Sequence, residues 1–79
     1  TPASREKDAK SRLQEWALGQ GLGLPVYRQL AKSGPDHAPE MTYEVSVANA
    51  GSKSATGSNR KTAEQKAAAL LLARLQAGD

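Results

Sequence analysis

Cysteine is absent from the 79 residues, so neither a disulfide framework nor a thiolate metal site can supply stability, and a reducing compartment is permitted. Histidine occurs once, at His37, and the eight Asp and Glu are scattered. Spacing therefore offers no metal-ligand cluster and no nucleophile paired with a base, and catalysis by this chain is not expected. No apolar run approaches the roughly 20 residues of a membrane span, and the amino end lacks the apolar core of a signal peptide. A soluble, cytoplasmic module with no membrane partner is the expectation. There is no internal repeat and no low-complexity tract beyond the alanines near the carboxyl end.

What is present bounds the rest. A chain of this length makes one domain and buries only about 60% of its unfolded surface, so one compact apolar core must hold it together. Eleven Lys and Arg against eight Asp and Glu leave a net charge of +3. The pI near 9.5 fits an anionic partner.

Residues 1–7, "TPASREK", are small and polar without periodicity and read as a linker or disordered tail. The chain opens on Thr1 rather than Met, so a fragment of a longer protein is expected. From Asp8, a candidate N-cap, Ala9, Leu13, Trp16 and Ala17 recur at i, i+4, i+7 and i+8, an amphipathic helix that stops at the glycines of "GQGLGLP". "PVYRQLAK", residues 25–32, reads as a strand and "SGPDHAPE", residues 33–40, as a loop in which Pro35 and Pro39 forbid regular structure. In "MTYEVSV", residues 41–47, Met41, Tyr43, Val45 and Val47 alternate with Thr42, Glu44 and Ser46, the pattern of a strand with one wet face. Glu40 and Glu44 then fall on that wet face as solvating charges. "NAGS" is a turn and "KSATG", residues 53–57, a short third strand. A second helix starts at Arg60, with Ala63, Ala67, Leu71 and Leu75 stepping by four beside Ala68. The order helix, three strands, helix, with short connections, predicts an α+β domain: two helices packed on one face of a three-stranded antiparallel sheet.

Three features go beyond architecture. The polar flank of the first helix sets Ser11, Gln14 and Glu15 in a row beside Leu18. "GPDHAP" displays Asp36 and His37 between two prolines, on a stretch running from Pro35 to Ala38. "NRKTAEQK" places Arg60 and Lys61 directly after Asn59, a good N-cap, with Lys66 about one and a half turns on. Helix N-termini favour anions, and cations there cost roughly 0.3–1 kcal/mol apiece. A bound phosphate would reverse that sign, because side chains and helix dipole then act on the same anion.

"KSRLQEW", "GPDHAP", "TYEVSV" and "RKTAEQKAAALLL", in this order and spacing, resemble the double-stranded RNA-binding domain, and within it the type that ends bacterial ribonuclease III. The resemblance spans about residues 8–75 of a domain taken as 8–77, with 78 and 79 as its carboxyl end. It implies the same α-β-β-β-α fold. It further implies that Ser11, Gln14 and Glu15 touch 2′-hydroxyls and base edges in one minor groove, that the stretch from Pro35 to Ala38 enters the next with His37 at its tip, and that Arg60 and Lys61, capped by Asn59, grip the phosphates between. Double-stranded RNA is the implied partner. A nuclease domain amino-terminal to this one is the other, in a homodimeric parent enzyme. No cofactor is implied for this domain, which is expected to be monomeric in isolation; Mg²⁺ would belong to the nuclease domain, whose acidic signature this chain lacks. Three departures stand out. Many members carry a basic residue where this chain has Glu64, as the ribonuclease III type often does, and Lys66 would substitute only partly. Ala55 replaces a common glycine, and Met41 stands where an aromatic is usual. A protein interaction or dimerisation module is the alternative, but domains of this fold that have lost RNA binding tend to lose the loop histidine and helix-start cations retained here.

Overall fold

A computed structural model of the chain describes residues 8–77. The expected linker, residues 1–7, and the end, residues 78 and 79, lie outside the described residues. The elements follow the expected order: α1 (Ala9–Gly19), β1 (Val26–Ser33), β2 (Glu40–Val47), β3 (Gly51–Gly57) and α2 (Arg60–Gln76). The strands form one antiparallel sheet in the order β1-β2-β3.

The core lies where the periodicities place it except at the start of β2, where Met41 and Tyr43 are only half-buried and stand outside it. Leu13 and Ala17 of α1, Val45 and Val47 of β2, and Ala67, Ala68, Leu71 and Leu72 of α2 form one buried cluster, with Trp16, Leu22, Tyr27 and Ala55 packed around it. α2 lies across β3 and β2, and α1 packs on α2. The small alanine side chains let α2 come close to its neighbours. β1 packs mainly along β2 and reaches the core chiefly through Tyr27. The other sheet face carries Arg28, Thr42, Glu44 and Thr56, where Arg28 pairs with Glu44 at 3.0 Å and the two threonine hydroxyls lie 2.9 Å apart.

Strand ends differ from the expectation because pairing, not local composition, decides them. Ser33 pairs with Glu40 and Val47 with Gly51, so β1, β2 and β3 each extend into residues expected as loop or turn. β1 begins at Val26 rather than Pro25, which has no N–H to give a ladder. The register also slips between Gln29 and Ala31, a bulge that leaves Leu30 exposed. Asn49 takes positive φ in the β2–β3 turn, a conformation its short polar side chain tolerates.

Candidate nucleic-acid interface

α2 starts as its sequence requires. Asn59 is extended, and its Oδ1 accepts a hydrogen bond from the Thr62 N–H at 2.8 Å. Asp8 holds the corresponding position of α1, but its side chain makes no capping bond; the Arg12 N–H donates to its backbone carbonyl instead.

The first two turns of α2 touch a different element on each flank. On one side the Lys10 ammonium donates to Glu64 Oε1 at 2.6 Å, and the Lys10 backbone N–H donates to Gln65 Oε1 at 3.2 Å. That second bond satisfies one of the unpaired amides at the start of α1. On the other side Ala63 packs directly on Gly57 of β3. Beyond it Lys66 borders an open cleft of about 330 Å³ shared with Ala38, Glu40 and Ser58. The amino end of α2 therefore stands between α1 and the β1–β2 connection.

The connection itself is a tight turn. The Ala38 N–H donates to the Pro35 carbonyl at 3.0 Å, which sets Asp36 and His37 at the two central positions, both exposed. Gly34 has φ +87, and a Cβ there would lie 2.7 Å from the Ala38 carbonyl oxygen, so the turn closes only on glycine. Ser11, Gln14 and Glu15 are exposed on α1, and Arg60, Lys61 and Lys66 on α2.

One expectation needs correction. Arg60 does not stand against the helix dipole without local compensation, because its Nε–H donates to Glu64 Oε2 at 3.0 Å. Glu64 is 2% exposed and paired with both Lys10 and Arg60. Burial opposes its ionisation, but the hydrogen bonds and charges of Lys10 and Arg60 outweigh burial and hold its carboxyl below the usual glutamate range. Lys10 also lies 4.9 Å from the centre of the Tyr27 ring. Burial first, and the Glu64 charge second, push the Tyr27 hydroxyl up to about 12. Sequence reasoning misses Lys10, Glu64 and Gln65 as a group. The i, i+4 spacing of Arg60 and Glu64 is a local signal, but nothing local links them to a lysine more than fifty residues earlier.

Among the described residues no three His, Cys, Asp or Glu side chains gather into a metal-ligand cluster. No described helix is long and apolar enough to cross a membrane.

The model of the double-stranded RNA binding motif matches residues 9–75, from the first residue of α1 to the last turn of α2. The chain belongs to this family. Among relatives of the double-stranded RNA binding motif, Ribonuclease 3 of Caulobacter vibrioides is 53% identical over 74 residues, which is 94% of this chain and 32% of that protein. Ribonuclease 3 of Cereibacter sphaeroides is 47% identical over 73 residues, 92% of this chain and 32% of that protein. The chain thus spans about a third of the length of these curated relatives. A solved structure of Arabidopsis HYL1, described with its implications for miRNA processing, superposes with a TM-score of 0.75 at 38% identity, covering 89% of this chain and 99% of that one. A solution structure of the two DRB4 double-stranded RNA-binding domains superposes at 0.71 with 35% identity, covering 100% of this chain and 53% of that one. The α-β-β-β-α fold is therefore the family's fold.

Proposed function

We propose that this domain binds double-stranded RNA by shape, across two minor grooves and the phosphates between them, and that in its parent chain it presents duplex RNA to the nuclease domain of a ribonuclease III. The supporting observation is the placement of three exposed elements around one helix start: the Ser11, Gln14 and Glu15 row, the Asp36 and His37 turn, and Arg60 with Lys61. A-form RNA shows 2′-hydroxyls in a wide, shallow minor groove, while its deep, narrow major groove offers side chains only the phosphates that border it. Short polar side chains suit the first surface and helix-start cations the second. In this reading Lys66 adds a further phosphate contact and Asn59 holds the helix start in place. The domain uses no cofactor of its own and is a monomer when isolated. Mg²⁺ and cleavage belong to the nuclease domain of a cytoplasmic, homodimeric parent.

Titration of the domain with duplexes of about 20 base pairs, RNA and DNA of matched sequence, tests this reading, since that length accommodates the roughly 16 pairs a domain of this family spans. The expected result is a clear preference for RNA that is insensitive to base sequence. Equal affinity for the DNA duplex would sink the minor-groove assignment.

A further inference from the structure

Glu64 is a carboxylate one helical turn from two cations assigned to phosphate, and by charge alone it should weaken RNA binding. Its position argues otherwise. It is 2% exposed, so its oxygens do not face a phosphate, and each accepts a hydrogen bond from a cation, Lys10 on Oε1 and Arg60 on Oε2. Arg60 is held through Nε–H while its side chain remains 72% exposed. Four of its five N–H donors are thereby left for another acceptor. On the opposite oxygen, Lys10 belongs to the first turn of α1, immediately before Ser11. The neighbouring bond from the Lys10 backbone N–H to Gln65 ties the same two helices a second time.

We propose that Glu64 is a positioning residue for the RNA interface: its buried carboxylate orients the Arg60 guanidinium and clamps the amino end of α1 to α2, keeping the minor-groove row and the phosphate-binding cations in fixed register. This inference rests on the RNA-binding reading above and assigns within it a residue that touches no RNA. A groove and its bordering phosphates are separated by a distance the duplex sets. Two helices that slid past each other would satisfy one and lose the other. A salt bridge shared by both helices opposes that sliding, and because its carboxylate is buried while its cations reach solvent, it is screened less than a fully exposed pair.

The sign of the effect separates positioning from simple charge. Glu64→Gln removes a negative charge beside the phosphates, so a purely electrostatic role predicts tighter binding, whereas positioning predicts affinity weaker by about five-fold or more. Lys10→Gln combined with Glu64→Gln leaves the net charge unchanged. On charge alone its affinity should equal that of the unaltered domain, and positioning again predicts a loss. Both are titrated with the same RNA duplex at a temperature where circular dichroism shows them fully folded, and the double variant carries the test if the single one does not fold. Arg60→Ala should also cost less affinity in the Glu64→Gln background than alone, because the guanidinium is no longer oriented there. Tighter or unchanged binding by the variants, with Arg60→Ala equally costly in both backgrounds, would overturn the proposal while leaving the RNA-binding reading intact. Failure of the unaltered domain to prefer duplex RNA would overturn that reading instead.

Discussion

Replacing Arg60 and Lys61 together with alanine is expected to make the slope of log affinity against log salt shallower by nearly two units, roughly 0.9 for each phosphate that is no longer neutralised, on the B-DNA calibration. Counting the counterion release from 1 M salt, that slope corresponds to an affinity weaker by roughly thirty-fold at 0.15 M. Both side chains are exposed at the first turn of α2, so the effect should appear as affinity and not as unfolding. The stability of the free domain should nevertheless fall slightly rather than rise. The dipole penalty alone would favour the alanines, but Arg60 is one of the two partners of buried Glu64, and its removal leaves that carboxylate on Lys10 alone. Titrations at several salt concentrations, with chemical denaturation of the free proteins, read the two quantities separately. An unchanged salt slope would remove both residues from the phosphate-binding surface.

Gly57→Ala should be among the most damaging single changes near the interface. A Cβ at this buried position would lie 2.6 Å from the Ala63 backbone nitrogen and 3.0 Å from its Cα. Backbone cannot step aside as a flexible side chain can. Either β3 or the first turn of α2 must shift, at a cost of about 1–3 kcal/mol for overpacking. That is a large share of the roughly 4–12 kcal/mol expected for a domain of this length. Because the same turn carries Arg60 and Lys61 and leads directly into Glu64, RNA affinity should drop along with stability. Denaturation midpoints and a titration on the folded variant check both; a variant as stable as the parent would show that the close approach of β3 and α2 is not required.

These two expectations rest on features of unequal visibility in the sequence. The cap at Asn59 is legible because the signal is local: an N-cap residue acts on an N–H three positions away. Val45 and Val47 are legible as core from alternation, and Leu13, Ala17, Ala67 and Leu71 from helical spacing. The turn at Asp36 and His37 follows from its flanking prolines. The bulge at Leu30 and the β3 start at Gly51 are not legible, since a register is a property of two strands. Glu64 is the larger miss. Its identity looks like a departure from a basic pattern, and only the packing of α1 on α2 turns it into a buried partner for Lys10 and Arg60. The tight fit of Gly57 against Ala63 likewise has no local signature; it exists because β3 runs straight into the start of α2.

The most direct test of the account is a map of backbone amide shifts as the domain is titrated with a duplex RNA of about 20 base pairs, long enough for the roughly 16 pairs the family spans. The three elements gathered around the start of α2 should move together. The largest shifts are expected at Ser11, Gln14 and Glu15, at Asp36, His37 and Ala38, and at Asn59, Arg60, Lys61 and Lys66. The outer face of the sheet, at Arg28, Thr42, Glu44 and Thr56, should stay still. Shifts concentrated on that face, with the α2 start unmoved, would contradict the account.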